Sequence, residues 1–201
     1  MTDMRPYSDL AAERLRIFVA LLGKWTSAIN LVSSASLADV WMRHVDDSAQ
    51  LLGLVPPDRK LWVDMGAGAG FPGVVIALMT ADTTAAVDMV LIESDQRKAA
   101  FLTTVSRETG VPMVIHAERI ELVVPQQADI VSARALAPLS RLCAFADRHM
   151  AAGGMALFPK GGQYGAEVAE ARKVWAFDLE SHCSKTDPKG AVLKLKDLRR
   201  V

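Results

Sequence analysis

The sequence predicts an α/β protein with a mostly parallel sheet and helices on both faces. A short apolar run that begins at Leu61 ends at the acidic Asp64, and it is followed by a glycine-rich turn and then by a further apolar stretch typical of a helix. A second apolar run, Ala86–Glu93, also ends in an acidic residue. Apart from Asp88 and the acidic residue that ends each run, both runs are apolar, which is typical of parallel strands that are covered on both faces. Strand and helix patterns then alternate along the rest of the chain.

The turn after the first strand is the strongest local signal. Asp64 lies near the end of the strand, glycines occupy positions 66, 68 and 70, and Pro72 falls where the first turn of a helix tolerates proline. Glycines are expected here because the turn needs backbone conformations that other residues rarely adopt. The helix start also presents free N–H groups to a ligand. The pattern therefore predicts a ligand held against the main chain.

The spacing of these glycines distinguishes two classes of cofactor. A dinucleotide-binding turn places its third glycine three residues after the second, at position 71, which here is Phe71. The observed pattern, Asp64-x-Gly66-x-Gly68-x-Gly70, resembles motif I of the class I methyltransferases that use S-adenosylmethionine. An NAD-dependent oxidoreductase is the alternative, and the glycine at position 70 argues against it.

The region before this unit predicts a helical extension over residues 1–58, followed by the cofactor-binding domain over residues 59–201. Apolar residues at helical spacing predict a helix over residues 8–22. Ser36 is a candidate N-cap for a second helical stretch that continues to Leu54. Pro56-Pro57-Asp58 marks the expected boundary between the two parts.

Segments in the extension and the turn resemble one methyltransferase family. Asn30-Leu31-Val32, Arg43-His44-x-x-Asp47-Ser48 and Gly70-Phe71-Pro72-Gly73 are similar to segments of the ribosomal RNA small subunit methyltransferase G family, also called glucose-inhibited division protein B. Val32 and Asp46 depart from it, since threonine and an apolar residue are usual there. The resemblance covers nearly the whole chain. It implies a Rossmann-like class I fold with a seven-stranded sheet, and methyl transfer from S-adenosylmethionine to N7 of a guanine in 16S rRNA.

The remaining elements follow from the same patterns. The sequence predicts strands at Ala86–Glu93, Val111–His116 and Ala128–Arg134, helices at Gln96–Thr109, Pro138–Met150 and 165–174, and a final pair of strands at 175–183 and 191–197. A further strand is expected before Pro159-Lys160-Gly161, and these residues are expected to form a loop at the same edge of the sheet.

The predicted cofactor contacts lie at the carboxyl ends of the strands, where ligands gather in open α/β sheets. Glu93 is placed to accept hydrogen bonds from ribose hydroxyls, with capping of the next helix as the alternative. In the resembled family, the residues that match Ile120 and Glu121 border the adenine region of the cofactor. Arg134 matches a family arginine that would hold the cofactor carboxylate or a substrate phosphate, with a surface ion pair as the alternative. The predicted set is Asp64, Gly66, Gly68, Gly70, Phe71, Glu93, Ile120, Glu121 and Arg134.

The candidate RNA-facing residues form a local patch. The net charge is zero, so no overall field attracts nucleic acid and any affinity must be local. Arg43, His44, Arg119 and Lys160 are the candidates, with Lys160 expected to guide RNA phosphate into the cleft. Phe71 is an alternative partner for stacking on the base, although packing within the protein is the simpler expectation.

The expected chemistry needs no catalytic side chain. Guanine N7 carries an in-plane lone pair and no proton, so its methylation requires no general base. The four histidines, His44, His116, His149 and His182, form no triad or metal-ligand spacing, and no metal is expected. Catalysis would rest on proximity and alignment. A ribosome-associated RNA-binding protein without activity is a further alternative, which the intact glycine turn, Asp64 and Glu93 disfavour.

The composition predicts a cytoplasmic protein without a membrane anchor, and a monomer is the default expectation for its oligomeric state. Cys143 and Cys183 lie far apart in sequence and are expected to be reduced thiols. Asp3, Arg5 and Asp9 interrupt the N-terminus, so a secretory leader is not expected. No apolar run approaches the length of about 18 residues that a membrane span needs. The expected partner, which the family resemblance implies, is the small ribosomal subunit through its 16S rRNA.

Overall fold

The computed structural model describes residues 7–201, apart from the side chains of residues 34 and 35. Asp3 and Arg5, and the first six residues of the predicted extension, therefore lie outside the described part. The helices are α1 Asp9–Ile29, α2 Ser34–Ala38, a π-helix Trp41–Asp46, α3 Asp47–Ala49, a 3-10 helix Gln50–Leu54, α4 Gly73–Thr80, α5 Gln96–Thr109, α6 Leu139–His149 and α7 Tyr164–Ala171. The strands are β1 Leu61–Met65, β2 Asp88–Ile92, β3 Val114–His116, β4 Ala128–Ser132, β5 Met150–Lys160, β6 Trp175–Cys183 and β7 Ala191–Arg200.

The seven strands form one sheet in the order β3-β2-β1-β4-β5-β7-β6. Strands β1 to β5 run parallel, and β7 is inserted antiparallel between β5 and β6. The carboxyl ends of β1, β2, β4, β5 and β6 consequently meet at one edge of the sheet. The predicted mostly parallel α/β sheet is confirmed.

Each face of the sheet carries its own apolar core. Helices α1, α4 and α5 pack on one face, where Trp62 of β1 is fully buried. Helices α6 and α7 pack on the other, against alternate residues of the same strands such as Val63. Helices therefore cover both faces, as the mostly apolar strands predict. Among the described residues, no helix combines the length and the apolar character that a bilayer span requires.

The first helix is part of the main core. The side chains of Leu15, Phe18 and Leu22 are fully buried, and Phe18 packs on Phe71 and Phe101 with ring-centroid distances of 5.2 and 6.3 Å. Helix α1 is longer than predicted, reaching Ile29 instead of residue 22. The extra turns keep packing against the same core through residues such as Trp25 and Ile29.

Several predicted boundaries are wrong by a few residues. Ser33, not Ser36, is the N-cap of α2, since the Ser33 hydroxyl accepts a hydrogen bond from the Ser36 N–H. Strand β3 begins at Val114 instead of Val111, because Pro112 has no N–H to donate and the Val111 carbonyl accepts from the Ser106 hydroxyl. The predicted strand over 128–134 ends at Ser132, which leaves Arg134 in the loop after β4.

Candidate cofactor and substrate clefts

Two clefts open side by side along the sheet edge where the parallel strands end. The first, the glycine-loop cleft, has a volume of about 470 Å³ and lies over the ends of β1, β2 and β4. The second, the hairpin cleft, has a volume of about 700 Å³ and lies between the π-helix, the end of β5 and the β6–β7 loop. Arg134 and Ala135 line both clefts, so the loop after β4 is their common wall.

The glycine turn has the backbone that the sequence predicts. Gly66, Gly68 and Gly70 have φ angles of 66°, 54° and 93°, in the left-handed region that favours glycine. Gly66 and Gly68 line the glycine-loop cleft. Gly70 does not, because it faces the protein, and a β-carbon there would lie 2.7 Å from Cγ2 of Val74. Gly70 was predicted to contact a cofactor, but in the structure it packs against Val74 and Phe18.

Asp64 braces the turn from inside. Its side chain is fully buried and lines neither cleft, in contrast to the predicted cofactor contact. One carboxylate oxygen accepts from the Gly73 N–H at 3.0 Å, and the other accepts from the Ser132 hydroxyl at 2.7 Å. Ser132 in turn accepts from the Trp62 indole N–H at 2.8 Å. The carboxylate thus fixes the start of α4 relative to β1 and β4.

Burial raises the pKa of Asp64 from its ordinary value of 3.8 to about 6, although its two hydrogen bonds oppose the change. Between about pH 4 and pH 6 the unfolded chain has released this proton while the folded chain still holds it, so rising pH destabilises the fold. This rise in the pKa of Asp64 corresponds to a loss of about 3 kcal/mol in the free energy of unfolding as the pH passes through this range.

This titration predicts a pH-dependent difference between the wild type and Asp64→Asn. The variant keeps an acceptor for the Gly73 N–H but has no proton to release. The free energy of unfolding of the wild type, relative to that of the variant, should fall by about 3 kcal/mol between pH 4 and pH 7. Urea denaturation at each pH measures both values. A difference that stays constant over this range would contradict the raised pKa.

Glu93 stands at the end of β2 and lines the glycine-loop cleft. Its two carboxylate oxygens accept from the Gly68 N–H and the Asp95 N–H, each at 2.8 Å. Asp95, not Glu93, caps helix α5 by accepting from the Arg97 and Lys98 N–H groups. Each Glu93 oxygen retains a lone pair, so the carboxylate is oriented by the main chain and is still able to accept from a ligand hydroxyl.

The far end of the glycine-loop cleft is lined by Ile120 and Glu121, two of the candidate cofactor residues, and also by Leu31 and Phe145. Leu31 follows Asn30, which ends α1 in the left-handed conformation at φ 50°. The apolar wall therefore comes partly from the extension, where periodicity gave no sign of it. The Asn30-Leu31-Val32 segment, which carries the family resemblance, was the available signal.

Arg134 is held by a network that ties the two clefts to the extension. Its guanidinium donates to Asp47 at 3.0 Å and to the Arg43 carbonyl at 3.3 Å, and it lies 4.9 Å from the centroid of the Phe71 ring. The Arg134 and Asp47 side chains are only 17% and 15% exposed, so water screens this ion pair less than a surface pair. Phe71 packs on Phe18 and on the His44 ring and lines neither cleft. It is therefore packed within the protein, which was the simpler expectation for its ring.

Comparison with known proteins decides the family. The model of the rRNA small subunit methyltransferase G family matches residues 11–191. The chain belongs to this family.

Curated relatives named ribosomal RNA small subunit methyltransferase G are similar over most of their length. The protein from Cereibacter sphaeroides (strain ATCC 17029) is 48% identical over 190 residues, covering 94% of this chain and 92% of the relative. The protein from Ruegeria pomeroyi is 46% identical over 189 residues, with coverage of 94% and 92%. The predicted family resemblance is confirmed, and it decides against the oxidoreductase alternative.

Solved structures agree on the fold. M. jannaschii TYW2 in complex with AdoMet has a TM-score of 0.58 at 13% identity, covering 79% of this chain and 76% of that chain. A TehB-like SAM-dependent methyltransferase from Corynebacterium glutamicum has a TM-score of 0.56 at 15% identity, covering 75% and 86%. The predicted class I methyltransferase fold is therefore confirmed.

Within this family member, the candidate RNA-facing residues do not form one patch. Arg119 is exposed and lines the glycine-loop cleft, whereas Arg43, His44 and Lys160 line the hairpin cleft. The Lys160 side chain is only 11% exposed, and its ammonium pairs with Glu167 at 2.6 Å, so its charge is already neutralised. Arg43 is 60% exposed and has only a loose contact with Asp39 at 3.6 Å, which leaves it available to a phosphate.

His44 differs from the predicted cationic contact. Its ring stacks on Phe71, and both ring nitrogens are buried without a hydrogen-bond partner among the described residues. Burial and then the neighbouring Arg134 lower the pKa of His44 to about 4. The imidazole is therefore neutral near pH 7 and offers no charge to RNA.

Proposed function

We propose that this protein transfers a methyl group from S-adenosylmethionine to N7 of a guanine in 16S rRNA, acting on the small ribosomal subunit in the cytoplasm. The observation that carries the proposal is that the glycine-loop cleft and the hairpin cleft share one wall, the loop after β4. A cleft built on the glycine turn and Glu93 opens at Arg134 and Ala135 into a second, larger cleft. Donor and acceptor can thus meet across one loop in a chain of this family.

The glycine-loop cleft has the chemistry that S-adenosylmethionine requires. Positive φ at Gly66 and Gly68 turns main-chain groups toward the cleft, which suits the amino-acid part of the molecule. The oriented Glu93 carboxylate suits the ribose hydroxyls. Leu31 and Ile120 supply apolar walls for the adenine. When bound there, the molecule supplies an electrophilic methyl group on its sulfonium.

The hairpin cleft is the natural place for the acceptor base. Its volume of about 700 Å³ accommodates a nucleotide, and its exposed Arg43 is available for the RNA backbone. Guanine N7 has its own lone pair, so the chain only has to hold the base in line with the methyl group and keep water out. Alignment of this kind supplies a large part of the barrier reduction without any acid or base.

The test is methyl transfer from labelled S-adenosylmethionine to small ribosomal subunits that lack N7-methylguanine. Label should appear at the N7 of one guanine in 16S rRNA, located by cleavage at methylated positions. Gly66→Arg is the inactive control. Binding of S-adenosylmethionine without any transfer to subunits would preserve the cofactor assignment and overturn the substrate. Binding of neither cofactor nor subunit would overturn the whole proposal.

A further inference from the structure

The hairpin cleft contains one carboxylate that no cation neutralises. Three acidic side chains line this cleft, Asp47, Glu167 and Asp187. Asp47 is paired with Arg134, and Glu167 is paired with Lys160. Asp187 is exposed and has no ion pair among the described residues. Its Oδ1 accepts from the Lys189 N–H at 2.9 Å, and Oδ2, which lies beside Gly190, has no hydrogen-bond partner among the described residues.

The loop that carries Asp187 is held in place from both sides. The Thr186 hydroxyl donates to Asp47 at 2.8 Å, and the Lys185 N–H donates to the Gln50 side chain at 2.9 Å, so the loop is fastened to the N-terminal helices. Inside the loop, the Gly190 N–H donates to the Asp187 carbonyl at 2.9 Å. A carboxylate on such a fixed loop is pre-organised for recognition.

The sheet order places the loop that carries Asp187 beyond the shared wall, away from the glycine-loop cleft. Along the edge, the glycine-loop cleft ends at the loop after β4, and β5 and then β7 follow before the β6–β7 loop is reached. Two inter-strand steps of about 4.8 Å each separate β4 from β7. This span suits a purine ring with a methyl group at one side and a hydrogen-bonded carboxylate at the other.

We propose that Asp187 reads the N1–H and N2 amino edge of the target guanine and makes the cleft selective for guanine over adenine. This inference rests on the proposed function. With N7 directed toward the shared wall at Arg134, the N1 and N2 groups of a guanine lie on the far side of the ring. Two parallel donors can be accepted by Oδ2 and by the lone pair of Oδ1 that the Lys189 N–H leaves free. Adenine presents a lone pair at N1, which a carboxylate repels.

The same contact also assists the reaction. When N7 gains the methyl group, the purine becomes cationic and its N1–H becomes a stronger donor, while no proton leaves the base. A hydrogen bond to the Asp187 carboxylate therefore strengthens as the reaction proceeds. Interactions that are stronger in the transition state than in the ground state raise the rate of the chemical step.

The test combines a change in the protein with a change in the base. Asp187→Asn keeps the acceptor for the Lys189 N–H, so the loop is retained. Inosine keeps N7 and N1–H but lacks the N2 amino group, and is placed in reconstituted small subunits at the guanine that the labelled methyl identifies. Asp178→Asn, an exposed carboxylate change on β6, is the matched control. Thermal melting and calorimetric titration with S-adenosylmethionine check folding and cofactor affinity.

On guanine-containing subunits, Asp187→Asn should lower kcat/KM by about 10-fold to 30-fold, as expected for hydrogen bonds to a charged group. Inosine should lower the wild-type value by about 10-fold, but the variant value by no more than about 2-fold. A variant that is slower yet keeps the wild-type ratio of guanine to inosine would reveal a purely structural role and overturn the inference. Unchanged rates in the variant would overturn it too. A wild type that methylates no subunit would instead refute the proposed function.

Discussion

Replacing Gly66 by arginine should lower the affinity for S-adenosylmethionine by at least about 100-fold, or about 2.8 kcal/mol, and reduce methyl transfer to background. Gly66 has a φ of 66°, and a β-carbon there would lie 2.6 Å from Cδ1 of Leu136. A non-glycine residue in this conformation costs about 1–2 kcal/mol. The rest of the side chain would displace Leu136 or enter the cleft. Calorimetric titration with S-adenosylmethionine measures the affinity directly.

The matched control for this change is Gly53→Arg. Gly53 is exposed, and nothing lies within 4 Å of a β-carbon built on it, so the same side chain is added in open space. This variant should bind S-adenosylmethionine and methylate subunits as the wild type does. Wild-type affinity in a folded Gly66→Arg variant would mean that the cofactor does not lie against the glycine turn.

Replacing Phe18 by alanine should lower the free energy of unfolding by about 3–5 kcal/mol, the usual range for a buried aromatic residue. Phe18 is fully buried, and its ring joins α1 to Phe71 after the glycine turn and to Phe101 of α5. The surrounding helices cannot close the space that the ring leaves. In a chain of this size the melting temperature should fall by about 10–15 °C. Urea denaturation followed by tryptophan fluorescence measures the loss.

Leu10→Ala on the same helix is the control for Phe18→Ala. Leu10 is 50% exposed, so its truncation should change the free energy of unfolding by less than about 1 kcal/mol. The Phe18 variant should still unfold in a single transition, because α1 shares its core with the sheet. Two separate transitions in the wild type, with only the weaker one affected, would indicate an extension that folds independently.

Elements whose signals are local were predictable from the sequence. Helix α5 matches its predicted range of Gln96–Thr109, because amphipathic spacing and Gly110 as a stop both act within a few residues. Gly110 indeed ends the helix with a φ of 67°. Strand β1 begins at Leu61 as predicted and extends one residue beyond Asp64, to Met65, where the glycine turn ends it.

The partners of charged side chains were not predictable, because they come from distant parts of the chain. Asp64 was expected to face the cofactor, but Ser132, which is 68 residues away, meets it in the interior. Arg134 is paired with Asp47, which is 87 residues away. Residue type and strand position place a side chain at the correct edge of a sheet. Only the packing of the remaining elements decides whether it faces a cleft or another side chain.

The walls of the hairpin cleft come from opposite ends of the polypeptide. One wall is formed by residues 42–50 and the other by residues that include 184–192. During synthesis, a nascent chain that has emerged only as far as β5 already carries the glycine turn and Glu93 but lacks the opposite wall. Such a chain contains the residues of the glycine-loop cleft but not all of those that form the hairpin cleft. The cleft is therefore complete only when both ends of the chain have packed against the sheet, and a chain that stops after β5 lacks one of its walls.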